Sequence, residues 1–501
     1  MDILSNLALG LSVAVTPWNI LYCFVGVTLG TLIGILPGIG PIATMAMLLP
    51  ATYAFEPTSA LIMLAGIYYG AQYGGSTSAI LLRLPGEASA VVATLDGYVM
   101  AQKGKAGIAL AIAAIGSFIA GTIGTIILAG FAPVLASLAV TFGASEYFAL
   151  MVVGLVAAIV LSSGPLLKSM GMLMLGLLFG LVGADINSGI DRFTFNLPQL
   201  SGGVSFVVVA LGLFGITEIL SNLERAGEDR RLVSEKIGRI WPRWPELRQV
   251  LPAILRGSGL GSLLGILPGG GVTMAAFASY TMEKRIAAEP ERFGNGAPEG
   301  LAGPESANNS AAQTSFIPLL TLGIPSNGVM AMMMSAMLIH NIQPGPQIIT
   351  SQPNLFWGLI ASMWVGNLML VILNLPMIGL WVRLLFVPYR LLYPAILLFC
   401  CIGLYSVQNN VADIYLAVIC AVLGYVFVKL RCDPVPFLLA FIIGPMLEEN
   451  FRRAMLLARG DFTALLTRPL TATMLLLAVG LLALAVLPRV RRTRKVAFEE
   501  E

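Results

Sequence analysis

The sequence predicts an all-α polytopic integral membrane protein, written as two inverted repeats with re-entrant hairpins and broken helices and having roughly ten to thirteen membrane segments. Three observations predict it. Of the 501 residues 57% are hydrophobic and only 11% charged, where a soluble domain carries roughly 25% charged residues. Apolar runs recur along nearly the whole chain, and one helix-breaking heptapeptide occurs twice.

The clearest runs are residues 108–128, 148–161, 166–182, 204–220, 355–375, 415–428 and 471–487. About 18 apolar residues cross a hydrocarbon core of about 30 Å, so each is a spanning candidate, several at the short end. No basic segment precedes the first apolar stretch and no small-residue cleavage site follows it. A removable secretory signal is therefore not expected, and the first spanning helix directs insertion. The net charge is only +3, with Lys and Arg spread over loops, which argues against a nucleic-acid partner. Cys23, Cys400, Cys401, Cys420 and Cys432 lie in or beside apolar segments without a Cys-x-x-Cys pair, as small hydrophobes do.

The duplicated element is Gly34-Ile35-Leu36-Pro37-Gly38-Ile39-Gly40, which returns as Gly265-Ile266-Leu267-Pro268-Gly269-Gly270-Gly271 with six of seven positions identical. A small polar run follows each copy: Gly74, Gly75, Ser76, Thr77 and Ser78 in the first half, and Asn308, Asn309, Ser310, Gln313, Thr314 and Ser315 in the second. A proline break then follows each, Leu84-Pro85-Gly86-Glu87 and Ile324-Pro325-Ser326-Asn327. From the motif proline to the Thr-Ser pair is 40 residues in the first copy and 46 in the second, and the charged insert at 283–299 absorbs the difference. The domain reading is a first membrane repeat at 1–222, a cytoplasmic linker at 223–249, a second repeat at 250–488 and a charged tail at 489–501.

Loop charge sets the relative orientation of the repeats. The linker has seven Lys or Arg against five Asp or Glu and reads as cytoplasmic by the positive-inside tendency. In the first half basic loops (Lys103 with Lys105, then Lys168) alternate with loops at 132–145 and 185–196 that are poor in positive charge. In the second half the loops at 342–352 and 408–413 lack Lys and Arg, while Arg383 with Arg390 and Lys429 with Arg431 mark the others. The phase is opposite, which implies inversion. Re-entrant hairpins are expected at 55–100 and 305–340, entering from opposite sides. The basic tail at 489–495 fits the cytoplasm only if 434–447 makes a further crossing, which would place Arg452, Arg453 and Arg459 outside.

Gly and Pro inside a span are unfavourable, because Pro removes a helix hydrogen bond and Gly weakens the helix. Such breaks survive in lipid where protein or a water-filled cavity satisfies the freed backbone. Paired broken helices present N–H groups to an anion and carbonyls to a cation. The candidate substrate-binding residues are therefore Gly74, Gly75, Ser76, Thr77, Ser78, Asn308, Asn309, Ser310, Thr314, Ser326 and Asn327. The helix-break and cation-coordinating candidates are Pro37, Gly38, Gly40, Pro85, Gly86, Pro268, Gly269, Gly271 and Pro325. The competing reading of the small residues, such as Gly116 with Ala120 and Gly121 with Thr125, is close helix packing. For the polar run it is a hydrophilic loop outside the bilayer. Arg83 either pairs with a carboxylate substrate or snorkels to the interface. Glu218 reads as interfacial, and His340, the single histidine, as an interfacial cap.

No Gly-x-x-x-x-Gly-Lys-Ser/Thr loop is present, and one histidine cannot make a His-Glu-x-x-His zinc site, so ATP hydrolysis by that route and metalloprotease chemistry are excluded. The reading is a transporter and not an enzyme, without a cofactor. Its rivals are a stand-alone carrier or channel, and an intramembrane enzyme.

The motifs at 34–41, 74–78, 265–271, 308–314 and 323–327, with the ending Gly444-Pro445-Met446-Leu447-Glu448-Glu449-Asn450-Phe451-Arg452-Arg453, resemble the large permease subunit (TctA family) of the bacterial tripartite tricarboxylate transporters over nearly the full length. The resemblance implies a multi-pass protein of the bacterial inner (plasma) membrane. It implies partners too: a small four-helix membrane subunit, a periplasmic solute-binding protein that delivers a carboxylate, and a homodimer as one assembly of the permease complex. Sodium or a proton would supply the energy. The second motif ends Gly269-Gly270-Gly271-Val272 where the first has Gly38-Ile39-Gly40-Pro41, so the two breaks need not share one geometry. An elevator-like movement of the hairpins against helices that include 108–128 and 355–375 is the expected mechanism.

Overall fold

The computed structural model describes residues 3–36, 40–162, 164–185, 187–224, 238–269, 271–384 and 389–486. Among these residues the regular structure is helical apart from a two-residue antiparallel pairing of Gly183–Ala184 with Asp191–Arg192. The first half contains α1 (Ile3–Ala14), α2 (Pro17–Ile35), α3 (Pro41–Thr52), α4 (Pro57–Leu82), α5 (Ala93–Met100), α6 (Ala106–Ala139), α7 (Ala144–Leu161), α8 (Leu166–Gly180), α9 (Phe206–Ala210) and α10 (Thr217–Glu224). In the second half α11 (Trp244–Gly265), α12 (Gly271–Ile286), α13 (Pro298–Thr314), α14 (Phe316–Leu322) and α15 (Gly328–Ile339) precede α16 (Ile348–Ser351) and α17 (Pro353–Asn374). There follow α18 (Ile378–Leu384), α19 (Tyr389–Gln408), α20 (Val411–Lys429), α21 (Val435–Leu457), α22 (Ala464–Thr467) and α23 (Pro469–Val486).

Among the described residues six helical stretches are long and apolar enough to cross a membrane: Pro17–Ile35, Ala88–Ala139, Ala144–Leu161, Phe206–Glu224, Pro353–Asn374 and Val411–Lys429. Shorter apolar helices include Pro41–Thr52, Leu166–Gly180 and Gly328–Ile339. Every apolar run read from the sequence falls on a helix. Outward faces keep large apolar side chains exposed, as at Val418, Ile419, Val422, Leu476 and Leu477, a surface suited to lipid and not to water. α11 begins at Trp244, so the end of the expected linker is already helical. Residues 225–237 and the tail at 489–501 lie outside the described residues.

The hairpins are not where the sequence placed them. α2 and α3 fold back on each other around the first Leu-Pro-Gly element, which brings the rings of Tyr22 and Phe55 to 4.5 Å. α11 and α12 do the same around the second, and Arg256 reaches across to Glu283 with bonds of 2.8 and 2.6 Å. Residues 55–100 instead traverse the bundle. α4 starts beside α2, where Ser59 Oγ donates to Asn19 Oδ1 at 2.6 Å. Its 26 residues carry the chain about 39 Å. After the break the chain stays at the far end, with Gly97 packed on Ile80.

Residues 298–340 traverse in the opposite direction. α13 begins beside Asp96 of α5, which accepts from Gly296 N at 2.7 Å and Ala297 N at 2.8 Å. α15 ends at His340, whose ring lies 6.1 Å from that of Tyr53 near the start of α4. Contacts between these ends keep the antiparallel order: Ser76 meets Glu305, and Tyr68, two turns earlier on α4, meets Phe316 and Asn327. The proline break misled because it was taken for a reversal. A left-handed cap followed by extended backbone displaces the chain sideways without returning it to its starting end.

The halves also exchange packing partners. α6 of the first half lies chiefly on α13 of the second, and α17 of the second chiefly on α1 of the first, with α2, α4 and α6 beside it. Likewise α21 lies on α7 and α8, while the 206–224 stretch packs on α20. Neither half therefore buries its own hairpin unaided.

Candidate functional site

Close backbone approach builds the frame of the site. Gly26, Gly30 and Gly34 of α2 rest on the carbonyls of Met63, Ile67 and Ala71 of α4; Gly257, Gly261 and Gly265 of α11 rest on those of Gly303, Ala307 and Ala311 of α13. A Cβ at any of the six would collide with main chain, the small-residue packing that membrane helices use. The duplication thus begins two helical turns before the heptapeptide.

The proline breaks repeat in detail. α4 is capped by Arg83 at φ 59, and α14 by Gly323 at φ 70. Glu87 and Asn327, both extended at φ −153 and −154, start the next helices. A constant 240 positions separate Ala71 from Ala311, Arg83 from Gly323 and Pro85 from Pro325. This register sets Thr314 opposite Gly74, and not opposite Thr77 as matching the Thr-Ser pairs implied. The charged insert therefore absorbs nine residues where that matching gave six.

Within each half the two kinds of break meet. Gly86 lies against the Gly34 carbonyl and the Gly75 backbone with no room for a Cβ. Gly269 N donates to Ser326 O at 2.8 Å. Gly269 has φ +93 and its Cα faces Ala158 of α7, while Gly271 opens α12 against the Leu264 carbonyl. Pro268 packs near Gly154. Pro37 and Gly38 lie outside the described residues. Gly40, which opens α3, donates its N–H to Glu218 Oε2 at 3.2 Å. This corrects the interfacial reading of Glu218: the half-helix N-terminus expected to receive an anion already holds the protein's own carboxylate.

The polar runs are helical and buried, and not hydrophilic loops. Gly74 to Ser78 occupy the last turns of α4, and Asn308 to Thr314 the last turns of α13. Ser78 and Thr314 bond to nearby carbonyls of Gly75 and Ser310, and Ser310 pairs with Ser262 of α11; these side chains serve helix contact. Ser76, Asn308 and Asn309 converge elsewhere. Ser76 Oγ donates to Glu305 Oε2 at 2.5 Å and Asn308 Nδ2 approaches the same oxygen at 3.5 Å. Asn309 Nδ2 donates to Asn308 Oδ1 at 2.6 Å and Ser117 Oγ at 2.8 Å. Asn327 accepts from Met330 N at 2.9 Å and donates to Tyr68 OH at 3.3 Å, joining the halves.

Glu305, only 1% exposed, was missed by sequence reasoning, although a lone carboxylate in the run Pro304-Glu305-Ser306-Ala307-Asn308-Asn309 is a legible signal. Glu87 was seen as part of a break without a role; Ser89 Oγ donates to it at 2.6 Å and lies 2.9 Å from Gln72 Oε1. Arg83 is exposed, with its guanidinium 5.8 Å from the Tyr98 ring centre, so it faces away from this buried network. His340 caps α15 half-buried. No group of His, Cys, Asp and Glu suited to a transition metal occurs among the described residues.

The arrangement is a pair of opposed hairpin tips, each locked to a proline break, with buried hydroxyls, amides and carboxylates between them. A family model decides its affiliation: the one described as the tripartite tricarboxylate transporter TctA family matches residues 20–439. The chain belongs to the TctA family. An uncharacterized 52.8 kDa protein in the TAR-I ttuC' 3' region of Agrobacterium vitis is 54% identical over 501 residues, covering all of both chains. An uncharacterized protein in the TAR-II ttuC' 3' region of the same organism is 57% identical over 241 residues, which is 48% of this chain and all of that one. No solved structure matches the chain. TctA membership makes this a multi-pass membrane protein of a transporter family.

Proposed function

We propose that this TctA protein is the permease subunit of a binding-protein-dependent secondary transporter that imports a small carboxylate, coupled to sodium or protons. The observation that carries the reading is the convergence, in each half, of a Leu-Pro-Gly hairpin tip with a proline break. Freed backbone groups at membrane depth are tolerated where they line a site, and two such sets in opposed segments suit an alternating-access carrier. A solute-binding protein would select the carboxylate, and a small membrane subunit would complete the complex.

In this reading the opposed segments are inverted across the inner membrane. Lys168 Nζ bonds Leu430 O at 2.5 Å and Lys429 pairs with Glu224 at 2.6 Å; these contacts bring basic loops beside the start of the linker and support a shared cytoplasmic side. Arg452 pairs with Asp185 at 3.0 Å, which supports placing the end of α21 with the positive-poor 185–196 loop on the outer side. α23 would then run back toward the cytoplasmic side. The tips of α2–α3 and α11–α12, rather than 55–100 and 305–340, would be the re-entrant elements that an elevator-like movement carries.

Reconstitution of the chain in liposomes with its small membrane subunit and solute-binding protein tests this. Uptake of labelled di- and tricarboxylates should require the binding protein and an imposed sodium or proton gradient. Uptake that ignores the binding protein would sink the tripartite reading, passive flux without a gradient would favour a channel, and covalent change of the substrate would favour an enzyme.

A further inference from the structure

Between α4, α6 and α17 lies a small cavity of about 10 Å³, whose polar lining is Tyr73, Ser76 and Thr77, Ser117, and Asn374. All five are more than nine-tenths buried. The space admits about one water-sized particle, so no carboxylate fits.

The lining is unusual in where its hydrogens go. Tyr73 donates its phenolic hydrogen to Asn367 Oδ1 at 2.5 Å, and Ser76 donates its hydroxyl hydrogen to Glu305 at 2.5 Å. Asn374 uses its Nδ2 on Leu370 O at 2.9 Å, and its buried Oδ1 has no partner. Tyr73 and Ser76 thus offer lone pairs with their single hydrogens given elsewhere, and Asn374 offers an unmet carbonyl oxygen. A buried acceptor left unmet is unfavourable by about 1–3 kcal/mol. A water has two hydrogens and answers two acceptors at most, whereas a cation answers all of them.

The charge balance points the same way. Glu305 is buried, its partners here are the neutral Ser76 and Asn308, and the nearby Arg256 is engaged by Glu283 in a two-bond pair. A buried carboxylate without a cation is strongly disfavoured. By accepting the Ser76 hydrogen Glu305 also makes that hydroxyl oxygen a better ligand, the role outer-shell carboxylates play around metal sites. Hard oxygens, one net negative charge and room for one dehydrated ion describe a site for a small alkali cation.

We infer that this cavity binds one sodium ion through Tyr73, Ser76 and Asn374, with Thr77 and Ser117 beside it and Glu305 as the balancing charge. The site is separate from the helix breaks, and it deepens the carrier reading by naming where a coupling ion sits. Because it joins α4 to α6 and α17, an ion there ties the helix carrying the first polar run to the helices around it.

The test is thermal unfolding of the full-length chain in lipid nanodiscs, with NaCl exchanged for choline chloride at constant ionic strength. A saturable rise in melting temperature specific to sodium is expected. Ser76→Ala, Asn374→Leu and Glu305→Gln should each raise the half-saturating sodium concentration by about tenfold or more, and Asn374→Asp, which keeps the oxygen and adds charge, should lower it. Equal melting in sodium and choline overturns the inference and leaves a water in the cavity. A sodium effect that survives undiminished in Ser76→Ala and shows no change in Asn374→Asp places the ion elsewhere and overturns it too. Stabilisation by acid alone, indifferent to sodium, assigns Glu305 a proton and does the same. The readout needs no substrate, gradient or binding protein, so a positive sodium shift with failed uptake counts against the carrier reading and not against the site.

Discussion

At the scale of single residues the glycines of α11 separate packing from flexibility. Gly261 sits on the Ala307 carbonyl, whereas Gly259, two positions earlier, has open space where a Cβ would go. Gly261→Ala should therefore destabilise the chain by about 1–3 kcal/mol through forced displacement of α13, while Gly259→Ala should be neutral or gain up to about 1 kcal/mol from helix propensity. Thermal unfolding in detergent compares the two, and equal effects would mean that helix flexibility and not close approach fixed these glycines. Buried polar residues separate in the same way. Ser310 and Ser76 look alike in the sequence, yet Ser310 meets a neighbouring serine and Ser76 a buried carboxylate. Sequence could nominate both because small polar residues at membrane depth are rare, but it could not tell helix contact from chemistry, since that depends on which face of α13 meets α4.

Elements are held together by carboxylates to which the sequence reading gave no role. Asp96 on α5 accepts the backbone N–H groups of Gly294, Gly296 and Ala297 and the Tyr280 hydroxyl, so one side chain pins the segment before α13 to the first half. Asp96→Asn turns one acceptor oxygen into a donor facing donors, and should cost about 1–3 kcal/mol, with faster proteolysis at 287–297 as the local readout. Outside the membrane-spanning helices, the Ser188 hydroxyl and then the Arg452 guanidinium hold the Asp185 carboxyl at about 2 against an ordinary 3.8. A depressed carboxylate contributes stability that is complete above its unfolded pKa and lost as pH falls toward the folded one. The melting difference between wild type and Asp185→Asn should accordingly be constant above pH 3.8 and shrink between 3.8 and about 2. A difference that persists below that window would assign the effect to shape and not to charge. Apolar run lengths located five of the six candidate spans among the described residues, because burial in lipid demands length and apolarity; they missed Pro17–Ile35, and the runs at 166–182 and 471–487 fall on shorter helices. The hairpins were placed wrongly, because a proline break and a chain reversal share the same residues and differ only in the direction that follows.

For the whole molecule the decisive feature is direction. Along α4 the contacts run from Asn19 through Tyr68 to Ser76, and along the second half they run from Asp96 through Glu305 to His340, which makes the two traverses antiparallel. Loop charge alone had suggested opposition, since the basic loops alternate in opposite phase, but it could not show which segments oppose each other. If the bundle axis is the membrane normal, Lys103 and His340 must face different compartments. Lys103 bonds Asn295 O at 2.6 Å at one end, and His340 stands by Tyr53 at the other. In a background with the five native cysteines replaced, Lys103→Cys should react with a membrane-impermeant maleimide only from the cytoplasmic face, and Asn341→Cys, next to His340, only from outside. Labelling of both from one face would break the inverted arrangement even if transport were intact, because the antiparallel contacts fix the two positions at opposite ends of the same bundle.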